Sequence, residues 1–443
     1  MQSKNTLAFQ QKLGEVRYYL DAIESVHKKL SAQSEFLLHQ QQPEGFTFAQ
    51  AYLDRFNLAP IIANAMTSGE YRFLPARIVS LILEGKQRQL YAFGVFDRVA
   101  HSALYRMLSE DINPLLPPQI YSYIKGRGKH IAIRNFAAYV REHVKARHRP
   151  QDRGIYVLRC DIRAYADSIP VHMNSRLWLQ LETAFAQTYG RPPTPREHEL
   201  LVQLIRPTLT DELNEGTYSK LYGVPTGAPI SSLLFNLYAA PLDHALNIRG
   251  GFYARYGDDM LFAHPDADIF EQSVVRFYAA MEILELQANE KKTMKCFFNG
   301  AGKSEGSFKG ANYIEFLGLQ IAFDGTAMLK NEKLRELYSN ITIRAKATAA
   351  ATAHYTPDER GRALCEMLNS VFDAEHGMAH PIARLMTGVI NDRKQLRQID
   401  YWLARLVLQY ALGEEGVKAF RSVPYRKIRE EWHLRSLEYA RNY

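Results

Sequence analysis

Phe252 to His264 reads FYARYGDDMLFAH, and the reading of this stretch decides the fold. Apolar runs flank a Gly and two adjacent carboxylates, the pattern of a β-hairpin whose tight turn carries Asp258 and Asp259. Tyr253, Arg255, Met260 and Phe262 alternate with neighbours expected to be buried, so the turn would be held on a rigid sheet. Two carboxylates fixed on one turn repel each other unless a cation lies between them. A hard divalent ion suits them: Mg²⁺ takes carboxylate oxygens and keeps positions open for phosphate. Asp and Gly are also ordinary turn formers, so the same residues read as a solvated hairpin too. What separates the two readings lies elsewhere in the chain.

A catalytic hairpin needs a third carboxylate on a neighbouring strand. Val157 to Ile169, VLRCDIRAYADSI, offers Asp161 where a β-rich run ends and turns toward a helical segment; alone, an Asp at a strand end also reads as a cap. Gly223 to Asn236, GVPTGAPISSLLFN, breaks the chain with Gly and Pro before an apolar helix. Gly227 has no Cβ there to keep a template or nucleotide from the backbone. Ile314 to Ile321, IEFLGLQI, reads as a short strand with an internal Gly.

Taken in order, these segments resemble the reverse transcriptases: D-I-x-x-Y at Asp161, G-x-P-x-G-x-P-x-S from Gly223 to Ser231, Y-x-D-D from Tyr256 to Asp259, and F-L-G from Phe316 to Gly318. Tyr71 to Val99 resembles the fingers of the bacterial enzymes, with Lys86 to Leu90 before a strand and Phe96 to Val99 after it. The resemblance covers about residues 60 to 330, and is closer to group II intron, retron and defence-associated enzymes than to retroviral ones. It implies an α+β right-hand polymerase, with fingers, a palm built on an antiparallel sheet with packed helices, and an all-helical thumb. The expected division is a helical extension over 1–42, fingers over 43–160, palm over 161–329 with a helical insertion at 171–222, and thumb over 330–443.

The resemblance also implies the chemistry, RNA-directed DNA polymerisation by two-metal extension of a 3′-hydroxyl. Asp161, Asp258 and Asp259 would be catalytic, holding two Mg²⁺ ions (Mn²⁺ as substitute) with the carbonyl of Ile162 as a further ligand. Arg88 and Lys292 match residues near the incoming triphosphate; a guanidinium offers a planar fork of donors, and ordinary surface roles are the alternatives. Two positions depart from the family pattern. Five residues after Asp161 the family places Phe or Tyr under the sugar, whereas here stands Ala166, with Tyr165 one residue earlier. Either Tyr165 takes that place by a local shift or discrimination against ribonucleotides is relaxed. The other departure is Thr226, where many relatives have a Gln that reaches the nucleotide beside Gly227.

The formal charge of +8 over 443 residues is unevenly spread, and the stretch from Lys125 to Arg153 supplies nearly all of it. Lys125, Arg127, Lys129, Arg134, Arg141, Lys145 and Arg147 are expected to contact phosphate, with Tyr121, Tyr123, Phe136 and Tyr139 interleaved; a solvated helix face is the alternative. Three widely spaced cysteines, Cys160, Cys296 and Cys365, fit a reducing compartment and no zinc site. With no long apolar run or leader pattern, a cytoplasmic protein without a membrane partner is expected.

Leu13, Val16, Tyr19, Leu20 and Ile23 share helical spacing, either packing on the fingers or forming an RNA-binding extension. Gly190 to Pro195 reads as a loop between helices, and Tyr401 to Leu408 is the most apolar part of the thumb. No carboxylate cluster after 330 supports a ribonuclease H domain, and no His/Cys-rich nuclease tail is evident. The expected partners are an RNA template, in particular a dedicated noncoding RNA, a DNA product and dNTPs. Antiphage defence is the leading role, against retron or intron mobility. An RNA-dependent RNA polymerase would need a second Asp at Ala166, and an inactive RNA-binding scaffold would have lost a metal-binding Asp.

Overall fold

The computed structural model describes residues 8–33, 35–42, 44–83, 86–146, 154–211, 216–373, 388–414 and 416–439. Its backbone contacts divide the chain into two compact units: Met1–Arg127, Cys160–Met260 and Asp268–Thr293 form the first, and Gly128–Arg159, Leu261–Ala267 and Met294–Tyr443 the second.

In the first unit, the helical periodicity of the N-terminal stretch becomes the helix Val16–Gln33, with Tyr19 and Ile23 buried. It packs on the helices Arg55–Ser68 and Val95–Ile112. Two strands, β1 (Arg77–Leu83) and β2 (Lys86–Ala92), form an antiparallel ribbon in register from Arg77 opposite Ala92 to Leu83 opposite Lys86. Lys86 to Leu90, expected before a strand, is therefore the strand itself. The insertion is helical at first, and Gly190 to Pro195 punctuates it as its residues require. Gly190 ends Arg176–Tyr189 at φ +71°, and Thr194 caps Pro195–Ile205 in a reciprocal box with Glu197. A short hairpin follows, β4 (Leu209–Asp211) and β5 (Gly216–Tyr218), paired antiparallel.

The palm sheet consists of β3 (Ile155–Asp161), β6 (Phe252–Tyr256), β7 (Asp259–His264), β8 (Met294–Phe298) and β9 (Lys309–Ala311), in the order β6-β7-β3-β8-β9. β3 and β8 are antiparallel, Ile155 opposite Phe298 and Arg159 opposite Met294, but β9 joins β8 in parallel. The antiparallel sheet that the resemblance implies thus carries a parallel pair at its β9 edge. Residues on both faces of β6 and β7 are buried, Tyr253, Ala254 and Arg255 together, so the hairpin does not show the one-sided alternation expected of it.

In the second unit, IEFLGLQI is not one strand. It is a hairpin of β10 (Tyr313–Phe316) and β11 (Leu319–Ala322), extended by β12 (Ala327–Leu329). The turn has φ +49° at Leu317 and +88° at Gly318, the mirror-image geometry that matches strand twist. Beyond it, the helices Asn331–Ala351, Pro357–Phe372 and Arg393–Leu412 pack on one another. Leu403 and Val407 lie in their core and Trp402 stacks on Tyr338 at 4.1 Å. Gly361 faces the Trp432 indole so closely that a Cβ there would lie 2.6 Å from the ring. No described helix is long and apolar enough to cross a membrane.

Candidate active site

Every residue of the site described here belongs to the first unit. β3 ends at Asp161, and the chain then makes a tight turn, with Ala164 at φ +47°, into the short helix Tyr165–Ser168. The buried Asp161 carboxylate accepts from Lys292 Nζ at 2.6 Å and from Asn289 Nδ2 at 3.0 Å. The Asn289 N–H also donates to the Asp161 carbonyl at 2.8 Å, so the loop carrying Lys292 is pinned to Asp161 through backbone and side chain together.

The hairpin turn lies beside this residue. Ile162 N–H donates to the Asp258 carbonyl at 3.3 Å, making the end of β3 and the turn backbone neighbours. Gly257 has φ +66°, which a turn with positive φ only at its first central position requires. Asp258 is the second central residue, and Asp259, expected in the turn, is the first residue of β7. Asp258 is exposed on its outer side, but protein packed behind it pushes its carboxyl pKa up, and the Asp161 charge pushes it further. Lys292 and Arg88 act in the opposite sense. The hydrogen bond to Asp161 raises the pKa of the Lys292 ammonium, and the charges of Asp161, Asp259 and Asp258 add to this.

Below the turn lies a polar network that the alternation of FYARYGDD conceals. Arg255 is fully buried and forks onto Asp243 at 2.7 and 2.8 Å. It also donates to the Asn236 side chain and backbone at 3.2 Å, and to the Gly257 carbonyl at 3.4 Å. The Gly257 N–H donates to Ser122 Oγ at 2.9 Å, and Asn236 Nδ2 to the Ser122 carbonyl at 3.0 Å. Tyr253 completes the set by donating to Asp243 at 2.7 Å. Both backbone polar atoms of Gly257, the residue before Asp258, are thus held. No local pattern marks Asp243, Asn236 or Ser122 as members of a site.

The expected nucleotide residues are distributed around this centre. Arg88 is exposed on β2, and its charge reaches Asp258 and Tyr123. Gly227, at φ +94°, lies against β2, where a Cβ would be 3.5 Å from Leu90 Cβ and the Tyr91 carbonyl. The Tyr91 N–H donates to the Thr226 carbonyl at 2.8 Å, and the Thr226 hydroxyl turns back to the Val224 carbonyl. Ala166 is half-buried, and its carbonyl accepts from Val224 N–H at 3.0 Å. Tyr165 is buried against Phe235, with its hydroxyl donating to the Phe235 carbonyl at 2.6 Å. Its ring is therefore committed to the core and not free to shift one position along.

The side chains of the basic segment stand in different surroundings. Arg127 donates to the Pro117 and Ile120 carbonyls at 2.6 and 3.1 Å, and Arg141 to the Gly325 carbonyl at 3.0 Å, so both guanidiniums fasten backbone. Lys145 pairs with Glu142 on the surface. Lys129 is half-buried, its pKa lowered by burial and by Lys333, while Lys125 and Arg134 are exposed. Phe136 and Tyr121 are core residues rather than stacking platforms. Arg147 lies outside the described residues.

The donor set suits a hard cation. Asp161, Asp258 and the Ile162 carbonyl are all oxygen donors. Among the described residues no three His, Cys, Asp or Glu side chains gather as a metal-holding group. One or two carboxylates, completed by substrate phosphate and water, are how Mg²⁺ is ordinarily bound. The residues present therefore fit Mg²⁺.

Residues 84–321 match the family described as reverse transcriptase (RNA-dependent DNA polymerase). The chain belongs to the reverse transcriptase family. The match takes in Arg88, Asp161, the Gly223–Ser231 turn, the Asp258 hairpin and Lys292, and it is to reverse transcriptases as a class, singling out no branch of them. No curated protein matches the chain. Among solved structures, telomerase from Candida albicans in complex with a TWJ fragment of telomeric RNA is 12% identical with a TM-score of 0.45, over 90% of this chain and 69% of that one. Telomerase from Candida tropicalis with the same kind of fragment gives 12% and 0.46, over 88% and 68%. The apo Candida tropicalis enzyme truncated from its C-terminal domain gives 11% and 0.43, over 58% of this reverse transcriptase, which spans 55% of that chain.

Proposed function

We propose that this reverse transcriptase is an active RNA-directed DNA polymerase that extends a 3′-hydroxyl with dNTPs, working in bacterial antiphage defence in the cytoplasm on a dedicated noncoding RNA. One observation carries the catalytic reading: Asp161 and the Asp258 turn are backbone neighbours, and one ammonium, Lys292, answers the charge of all three carboxylates. An inactive scaffold has no need to keep acids that repel each other this close together.

Asp161, Asp258 and the Ile162 carbonyl would hold Mg²⁺, with Asp259 adding negative charge from the start of β7. The chemistry such ions supply when bound is a lowered pKa at the primer hydroxyl and neutralisation of the leaving pyrophosphate. The chain's own residues contribute position and charge. Asn289 orients Asp161, the Arg255 and Ser122 grip fixes the turn, and Lys292 and Arg88 supply cationic donors for a triphosphate. Ala166 leaves space where the family's ring would exclude a 2′-hydroxyl, and Tyr165, tied to Phe235, does not fill it. We read this as relaxed sugar selectivity.

Thr226 supports the defence branch, because defence-type bacterial relatives vary in this region. Sequencing the nucleic acid that purifies with the protein, before and after adding dNTPs, tests the reading. A defined RNA that acquires complementary DNA supports it. Template-free homopolymer contradicts RNA copying, and an intron or retron transcript contradicts the defence role.

A further inference from the structure

The second unit carries a cavity of about 370 Å³. Its walls come from the helix Arg393–Leu412, the short helices Ala419–Ser422 and Tyr425–Glu430, and the turn at Ser436 to Tyr439. Four aromatic rings line it, those of Tyr401, Phe420, Tyr425 and Tyr439. Tyr401 stacks on Phe420 at 5.5 Å, and Phe420 meets Tyr425 at 6.3 Å, so three of the rings brace one another. The three tyrosines stay open to solvent all the same, Tyr439 most of all at 67% exposure.

Two carboxylates stand among these rings, and they are not equivalent. Glu438 is answered by Arg397, whose Nε donates to its two oxygens at 2.8 and 2.9 Å. Asp400 is buried and accepts from the Ser436 hydroxyl, from Leu437 N–H at 2.8 Å and from Glu438 N–H at 3.3 Å. Ser436 Oγ itself accepts from Tyr439 N–H at 3.4 Å, so its own proton goes to Asp400. These bonds explain Asp400 as the anchor of the turn, but they leave its charge without a counterion: no described Lys, Arg or His forms an ion pair with it, whereas Glu438 has Arg397. The cavity thus sets two acids against one guanidinium, and the surplus negative charge lies behind aromatic rings. That charge is felt at the wall. Burial raises the Tyr425 phenol pKa and the Asp400 charge raises it further, with Arg429 opposing.

A cation meets two complementary features here, the negative faces of the rings and a buried unit charge. An anion would be repelled by Asp400, and a wholly apolar group would leave that charge unanswered. One surplus charge suits one cationic head, because a second would meet only Glu438, which Arg397 already holds. An ammonium on an alkyl stem fits both halves of the lining, with its methylenes against the rings and its head toward the acid.

We propose that this cavity is a docking site for a single alkylammonium group, the lysine side chain of a protein partner. The site stands apart from the polymerase reading and gives the helical second unit a recognition role of its own.

Isothermal titration calorimetry of the full chain tests it. The probes are Nα-acetyl-lysine amide, Nα-acetyl-norleucine amide, which keeps the stem and lacks the ammonium, and spermidine, which stands for a free polyamine. The lysine amide should bind at least about tenfold more tightly than the norleucine amide, and spermidine no more tightly than the lysine amide. Tyr439→Leu removes a ring at an exposed position and should weaken lysine-amide binding about two- to fivefold, the range of one exposed cation–π contact, while Tyr439→Phe should bind as wild type does. Adding Tyr401→Leu to Tyr439→Leu should bring the loss to about five- to thirtyfold. Thermal melts confirm folding, and the two Tyr439 variants carry the test if the double variant does not fold. Equal binding of the two amides would mean an apolar hollow with no preference for charge and would overturn the proposal. So would tighter binding of spermidine, no binding of either amide, or unchanged affinity in Tyr439→Leu.

Discussion

Arg255 offers the sharpest perturbation of the site. Both it and Asp243 are completely buried, and Arg255→Met leaves a carboxylate without its fork of donors. Breaking a buried pair from one side costs about 3 to 5 kcal/mol, because the remaining charge stays desolvated. The Gly257 carbonyl and Asn236 lose donors as well, so the turn bearing Asp258 loses one of its two grips. Denaturant unfolding of the full chain measures the first effect and primer extension the second. The triple variant Arg255→Met, Asp243→Leu, Tyr253→Phe removes every charged and hydroxyl member of the pair's shell. It should recover most of the lost stability, since apolar replacement of a whole buried pair is often neutral. It should not recover turnover: with the Gly257 carbonyl still without its donor, kcat should remain about a hundredfold down, the scale of a misplacement near 1 Å. A loss below about 1 kcal/mol in Arg255→Met, the range of an exposed pair, would refute this reasoning, as would full kcat in the triple variant.

Two further outcomes follow from other parts of the first unit. Burial pushes the Asp97 carboxyl pKa up to about 6, against the opposing hydrogen bonds from Leu74 N–H and Tyr71 Oη. Between the ordinary carboxylate value and pH 6 the folded protein keeps a proton that the unfolded chain has released. Stability should therefore fall as pH rises through that window, by about 3 kcal/mol at most; Asp97→Asn should lose that fall in pH-dependent unfolding, and superimposable curves would contradict it. Ala166→Phe should raise discrimination of dNTP over rNTP in single-nucleotide incorporation, while wild type accepts ribonucleotides readily. Wild-type rejection as strong as that of the Phe variant would show that some other group guards the sugar.

How far the sequence reveals the site depends on whether the signal is local. Asp161 at a strand end, the Gly257-Asp258 turn and Gly227 are legible because each is a backbone event written in adjacent residues: a strand stopping in the first, and a positive φ that favours Gly in the other two. Arg255 is the opposite case. In FYARYGDD it occupies what looks like one side of an alternating strand, and only the approach of Asp243, Asn236 and Ser122 makes it a buried cation. Asn289 lies in the loop whose resemblance to the family marks Lys292, but nothing local shows that its own side chain bonds Asp161. Leu317 at positive φ has no local signature, so IEFLGLQI reads as a strand until the pairing of Phe316 with Leu319 closes a hairpin. In the basic run, Arg127 and Arg141 donate to carbonyls that have no sequence signal of their own, so these contacts are not legible either.

The central claim is that Asp161 and Asp258 act together on a bound divalent cation, and RNA-templated primer extension with increasing Mg²⁺ tests it most directly. Wild type should synthesise DNA only with the ion present, and Asp161→Asn and Asp258→Asn should each reduce the rate on the order of a thousandfold while the fold is retained. Undiminished synthesis by either variant, or full synthesis by wild type in a chelator, would contradict the account.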